Sequence, residues 1–441
     1  MGCKMKFKMF VVVFSFIVFG SIFGVNVYAQ AKKTVTKKEA APSPVKKVEE
    51  KPVEIAFPDA TVGRLYMFVL VPANFSAPYK ISIVSGSLPS GLAINQKTGG
   101  IEGQPDKQGV WNTVLSVTDS KSKKGTFSGV IRVWRMLTIG EHGQFKGFDG
   151  FQMALNMAQD MDEIRIEKGI IEASGLVVPQ NKEWNHGIKI SGGWNETFNE
   201  KSNKPEDTSL DGNGKETSIL TISNNKDKVL IENLIFRNSN RKAAVYGSAT
   251  FTKCIFRNNS AGAAIGTCVF SDCEFMDNSA YFGGLFSGNG GAVKGGGTFS
   301  NCSFTRNSAA DGGAVEGGGI FSNCTFTSNS GHNGGAVCAG GNAFYMDAGG
   351  TFSNCIFTNN SVVNGKGGAA YGGGTFSNCT FTNNSVSNGS GGAVCGNGTF
   401  SNCSFLNNSV SEGSGGAVIG NGTFSNCSFI YNSTNQYGGA V

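Results

Sequence analysis

Phe376-Ser377-Asn378-Cys379-Thr380-Phe381-Thr382-Asn383-Asn384-Ser385 returns 24 residues later as Phe400 to Ser409, with Gly391-Gly392-Ala393-Val394 between the two copies. From residue 229 to 441 the chain keeps repeating this sentence. Self-similarity at such a period specifies a solenoid, in which each unit buries its apolar side only against its neighbours. The expected fold class is all-β, with a parallel β-helix over these repeats.

Aligning the repeats gives three files. The first is Cys254, Cys273, Cys302, Cys324, Cys355, Cys379, Cys403 and Cys427. Two residues further on stand Phe256, Phe275, Phe304, Phe326, Phe357, Phe381, Phe405 and Phe429. Residues i and i+2 of a strand share a face, so each Cys and its Phe are expected to point inward together from one strand. Coils about 4.8 Å apart then stack thiol on thiol and ring on ring. Each buried Phe contributes roughly 1.5–3 kcal/mol. The third file is Asn259, Asn278, Asn307, Asn329, Asn360, Asn384, Asn408 and Asn432. These suit left-handed backbone at a bend, and stacked amides can form a ladder. Gly pairs at 312–313, 334–335, 391–392 and 415–416 allow tight turns.

Twelve cysteines in an exported chain ordinarily suggest disulfides. Here eight share one register, and the preceding repeat places Leu234 there, which cannot be a bridge partner. A buried, reduced thiol column is the expectation. Coil spacing lies inside the Cα range of a disulfide, so that alternative stays open. A line of thiols does not make the tetrahedron zinc prefers.

Outward from the repeats, Lys4, Lys6 and Lys8, then the apolar run 9–25, then Val27-Tyr28-Ala29 read as a signal peptide over residues 1–29, with an uncleaved anchor as the alternative. Removing those three lysines takes the formal charge from +6 to +3. Residues 30–53 hold seven Lys against three Glu with three Pro, so 30–55 is expected to be a solvated linker. From 229 onward eight Lys/Arg face eight Asp/Glu, which leaves no basic stripe for nucleic acid. Charged residues are only 15% and Gly numbers 64, a balance that suits stacked coils with permissive turns.

Residues 56–135 alternate as short strands. They contain Ser85-Gly86-Ser87-Leu88-Pro89-Ser90-Gly91-Leu92-Ala93-Ile94, then Thr98-Gly99-Gly100-Ile101-Glu102-Gly103-Gln104-Pro105. This pattern resembles the immunoglobulin-like (cadherin-like) module of bacterial surface proteins, which implies a β-sandwich spacer. The clustered acids of a cadherin calcium site are absent, so the resemblance carries no metal here. Residues 136–228 read as the N-terminal cap and first coils. Phe151, Leu155, Ala158 and Met161 share a helical face, and Ile190-Ser191-Gly192-Gly193-Trp194-Asn195 and Leu210-Asp211-Gly212-Asn213-Gly214 follow. That order resembles the entry of secreted right-handed parallel β-helix proteins.

Gly-Gly-Ala-Val with Phe-x-x-Asn resembles the repeats of the polymorphic outer-membrane proteins. The resemblance implies a surface adhesin. That family ends in an outer-membrane barrel, whereas this sequence stops at Gly438-Gly439-Ala440-Val441, so its last coil is expected to need a cap or a missing domain. The coils reaching Cys302 and Cys355 are longer than the rest. With Gly283-Gly284-Leu285-Phe286 taken as a strand, both insertions leave one turn, two coils apart, and Phe344, Tyr345 and Met346 become a candidate binding edge.

No catalytic, cofactor-binding or metal-binding set stands out. The repeats hold one histidine, His332, and scattered acids: Asp272, Glu274, Asp277, Asp311, Glu316, Asp347 and Glu412. Hydrolysis or elimination needs convergent carboxylates, a base or a metal. His186 and Asp211 in the entry region read as structural. The calcium nonapeptide is absent, and sequons such as Asn301-Cys302-Ser303 follow from the repeat itself. The expectation is therefore a non-enzymatic protein without cofactor. It is exported to the cell surface, outer membrane or medium and presents a neutral Ser/Thr/Asn-rich flank to a host or neighbouring cell through a glycan or protein ligand. A polysaccharide lyase or glycoside hydrolase is the alternative, and a structural surface filament the third reading.

Overall fold

In Gly398–Ser401 the Phe400 ring turns inward while Thr399 faces out, and in Ser404–Leu406 it is Phe405 that turns inward. Between these strands Asn402 adopts φ 53°, a left-handed bend that Asn tolerates, and the chain passes from one sheet to the next. The computed structural model describes residues 51–70, 72, 74–180, 184–223, 228–280, 288–339 and 349–441. The expected export signal, most of the linker, and Phe344, Tyr345 and Met346 lie outside the described residues. Among those described, no helix is long and apolar enough to cross a membrane.

Strands of like kind pair in parallel, coil upon coil. The first sheet ends at Gly422–Ser425, the second runs from Gly169–Glu172 to Ser428–Ile430, and the third from Leu176–Val178 to Val418–Ile419. A fourth sheet, from Ser330–Asn333 to Ser433–Thr434, joins only the later coils. The fold is a parallel β-helix. Each coil's Gly pair makes its turn possible: Gly391 has φ +71°, and a Cβ on Gly392 would lie 2.1 Å from the Gly416 carbonyl oxygen.

Two aromatic columns fill the core. One contains the Phe of the Cys-x-Phe register, the other Phe251, Phe270, Phe299, Phe321, Phe352, Phe376, Phe400 and Phe424. Rings within a column stack at 4.6–5.2 Å, and the two columns meet edge to face.

Two expectations change. The file cysteines do not share a strand with their Phe. Each stands at the corner between the first and second sheets, because the left-handed residue before it resets the alternation, and its thiol still turns inward. Nor do the ladder asparagines take the left-handed backbone. That conformation falls one residue earlier, as at Asn258, Asp277, Arg306 and Asn383.

The sandwich is joined to the solenoid by a strand. Lys124–Ile139 pairs antiparallel with Gly109–Thr118 over residues 124–133 and parallel with Asp162–Glu167 over 135–139. The boundary expected at 135 thus falls inside one continuous strand. Val53–Glu54, expected as linker, pairs with Phe127 and Ser128 on the same strand. Tyr66–Val69, Leu92–Asn95 and Gly100–Gly103 form the opposing sheet over a core that includes Ile81, Leu115, Val117 and Ile131. At the junction Trp134 Nε1 donates to Asp59 at 3.0 Å, and the buried Arg165 guanidinium reaches Thr61, Glu163 and the Phe198 carbonyl. The helix Gly147–Met157 closes the near end of the solenoid core with Phe151, Ala154 and Leu155.

Candidate functional site

Each third-sheet strand beyond the first is short, and its inward residue, such as Val245, Val293 or Val315, belongs to the main core. The next residue must face outward. Register therefore builds an outer file of Thr221, Tyr246, Ile265, Lys294, Glu316, Cys338, Tyr371, Cys395 and Ile419. Its chemistry changes along the axis. Thr221, Tyr246, Ile265 and Lys294 floor a cleft of about 510 Å³, walled by Ser218, Arg241, Lys242, Ala261 and Asn289. Tyr246 is 55% exposed. Arg241 pairs with Glu216 at 2.8 Å, but both are largely exposed, so the guanidinium is held only weakly.

Glu316 ends the cleft. It is buried, and that burial raises its carboxyl pKa above the ordinary value, against the attraction of the neighbouring Lys294; Asp311 adds to the rise. Asp311 is itself fixed by a 2.9 Å hydrogen bond from Asn333 Nδ2. Beyond this point Cys338, Tyr371 and Cys395 form a small buried cluster of their own on the outer face.

The residues singled out in the sequence fall elsewhere. The file thiols from Cys254 to Cys403 are buried, Cys427 at the end is half-buried, and all are free. Each donates to the carbonyl two residues before it at 3.3–3.4 Å. Burial pushes the Cys273 thiol well up, and the thiols from Cys254 to Cys403 are all closed off from a reagent by burial. Each ladder Asn from 259 to 408 donates through Nδ2 to Oδ1 of the Asn in the following coil at 2.8–3.0 Å. The same Nδ2, including that of Asn432, donates to a Phe carbonyl at 2.9–3.1 Å. His186 and Asp160 pair at 2.9 Å, and Asp211 binds Arg237 at 2.8 Å. Asp277 is taken up by Arg306 at 2.7 Å. No cluster of three or more metal-ligating side chains occurs among the described residues.

The two longer coils do not leave one turn, as expected. The strand opposite Val315 is Val293–Lys294, preceded by its own Gly290-Gly291. The earlier insertion therefore lies before the third sheet and the later one, after Val337–Cys338, beyond it. Reading Gly283 to Phe286 as the strand misplaced the first, because Gly-Gly followed by two apolar residues occurs twice in that coil. Tyr246, Lys294 and Arg241 were missed altogether. The available signal was the variable residue after each Ala-Val, which alternation sends outward.

Residues 48–133 match the family model described as "Putative Ig domain". That match covers the sandwich and not the solenoid. No curated protein matches the chain. Solved structures with some likeness include the PL6 family alginate lyase AlyGC (13% identity, 64% of this chain and 36% of that one, TM-score 0.35). The chain thus spans about a third of AlyGC. A Yersinia enterocolitica family 28 exopolygalacturonase shows 10% identity over 75% of this chain and 85% of its own, with TM-score 0.32. An alginate lyase from Paenibacillus sp. shows 14% identity over 66% and 97%, with TM-score 0.33. Likeness at this level carries no argument about activity.

Proposed function

We propose that this is an exported, surface-displayed protein with repeats of the polymorphic outer-membrane type, and that its β-helix engages a carboxylate-bearing polysaccharide along the outer face of the third sheet. The observation that carries this reading is the cleft. It runs over four coils, about 14 Å between the outer Cα rows, so it accepts a chain segment rather than a single small molecule. Tyr246 offers an aromatic face for a sugar ring, and Lys294, Lys242 and the loosely held Arg241 stand beside it for carboxylates. These cations are concentrated here although the solenoid as a whole is neutral. Adhesion to a glycan-coated surface follows from such binding together with export and the sandwich spacer.

The test is calorimetry or affinity electrophoresis of the full chain against polygalacturonate and alginate, with neutral dextran as control. Binding should weaken as salt rises, and Tyr246→Ala or Lys294→Ala should each reduce it about tenfold, about 1.4 kcal/mol. Equal retention by dextran, or no change in either variant, refutes the reading.

One observation favours a second reading, cleavage of the bound chain. A buried carboxyl whose pKa is raised, as that of Glu316 is, and which stands beside the Lys294 cation, is the kind of group a general acid requires. Release of reducing ends or unsaturated products by the wild type, lost in Glu316→Gln with binding retained, would establish it. Binding without product leaves the first reading standing alone.

A further inference from the structure

The outer face of the first two sheets has a different character from the cleft. Residues 319–330, 350–361, 374–385, 398–409 and 422–433 contain no Asp, Glu, Lys or Arg. Protein surfaces ordinarily carry roughly a quarter to a third charged residues, which keeps them soluble and apart. Five successive coils whose first- and second-sheet segments carry no charge therefore leave a face suited to an uncharged partner.

That surface is also regular. Stacked rings beneath it, from Phe299 to Phe400 and from Phe304 to Phe429, differ in plane by only 1–5°. Ring orientation thus repeats almost unchanged from coil to coil, and the outward groups repeat in the same register. On its outside Thr351, Thr375, Thr399 and Thr423 stand exposed in one file. Alongside runs a second amide file, in which Asn354, Asn378, Asn402 and Asn426 are each tied to the Asn of the coil before at 2.8–3.1 Å. Ser377 and Ser401 hydroxyls meet at 3.2 Å between these files. The polar groups are thus held in position before any ligand arrives, which lowers the ordering cost of binding.

We infer that this face binds a neutral, extended β-linked polysaccharide, its chain axis along the solenoid axis. Successive sugars of such a chain are turned over, and its two-sugar repeat advances by roughly two coil spacings, so like hydroxyls meet equivalent Thr and Asn groups on every second coil. The five coils span about 20 Å, enough for about four sugars. A regular, charge-free lattice fits chains packed in an ordered particle better than a coiled, charged polymer. This inference stands apart from the cation-lined cleft, which lies on the third sheet.

Co-sedimentation of the full chain with microcrystalline cellulose tests it. The wild type should pellet with the particles, and salt should not release it. Thr375→Lys combined with Thr399→Lys should lower the apparent affinity at least tenfold, while the matched Thr375→Ser and Thr399→Ser pair, which keeps both hydroxyls, should retain binding. Unchanged far-UV circular dichroism and melting would show that the lysine variant is folded. A single Thr399→Glu variant gives the same reading independently. Tyr246→Ala, which disables the cleft, should leave cellulose binding untouched. Failure of the wild type to pellet, or undiminished binding by the lysine variant, overturns the inference. Adsorption to growing ice crystals without cellulose binding overturns it too, in favour of an ice-binding face.

Discussion

Replacing Asn384 by Ala should destabilise the solenoid far more than replacing Asn378 by Ala, although both asparagines stand in ladders six residues apart. Asn384 is fully buried. Its Nδ2 donates to the Phe357 carbonyl at 3.0 Å and to Asn408 Oδ1 at 3.0 Å. Its Oδ1 accepts from Asn360 Nδ2 at 2.9 Å and from the Asn360 backbone N–H at 3.0 Å. Alanine removes four bonds and leaves the Asn360 N–H and the Phe357 carbonyl short of a partner in a dry core. At about 1–3 kcal/mol for each of these two buried groups left unsatisfied, the loss is about 2–6 kcal/mol. Asn378 is exposed, and water can replace its 3.1 Å bond to Asn354. Its cost is mainly the left-handed backbone at φ 54°, about 1–2 kcal/mol for Ala and less for Gly. The four tryptophans, at 111, 134, 184 and 194, all precede the repeats, so fluorescence would not report on this site. Amide exchange measured by mass spectrometry over coils 350–434 is the right assay, since a solenoid can open locally. An Asn384→Ala variant that exchanges no faster than Asn378→Ala would refute the ladder's energetic role.

Three further outcomes are expected. Native protein treated with a thiol reagent should react at Cys427 before the other file thiols, and unfolding should expose all eight; equal rates in the native state would contradict the buried column. Phe381→Ala should cost about 3–5 kcal/mol in the amide-exchange measurement, whereas Phe381→Leu, which refills part of the column, should cost much less. The raised folded pKa of Glu316 gives a sign for pH dependence. At low pH the group is protonated both folded and unfolded and costs nothing. As pH rises through the unfolded pKa toward the higher folded one, the unfolded chain releases its proton first, and stability falls. Glu316→Gln should remove this fall, so on going from pH 4 to pH 7 the variant should gain melting temperature relative to the wild type, and an unchanged difference between the two would contradict the raised pKa.

Most of the architecture was legible because the repeat states its own register. Once Cys379 is aligned with Cys403, the columns through Phe381 and Phe405 and through Asn384 and Asn408 follow, whatever the details of the coil. What alignment does not give is where the chain bends. Phe-Ser-Asn-Cys-Thr-Phe reads as one alternating strand, yet the left-handed Asn378 divides it between two sheets. The Phe before the bend therefore faces the same core as the Phe after it, although five residues separate them. One aromatic column was expected and two are present, a consequence of one backbone angle that no pattern of apolar residues announces.

The candidate site was less legible for a related reason. Repetition conceals the positions that matter, since binding chemistry belongs where the repeat is broken. Tyr246, Lys294 and Glu316 occupy one register that Cys338 and Ile419 share; Tyr, Ile and Cys each occur twice in it but never on adjacent coils, so no motif forms. Only the alternation after Ala-Val identifies the register as outward. The first two sheets present the opposite case over their later coils, where Thr351, Thr375, Thr399 and Thr423 and Asn354, Asn378, Asn402 and Asn426 repeat without a break. Core files must repeat to stack. An exposed Thr at 351, 375, 399 and 423 has no such need, since any small polar or charged residue would serve folding there. Uniformity without a folding cause points to a partner whose own structure repeats.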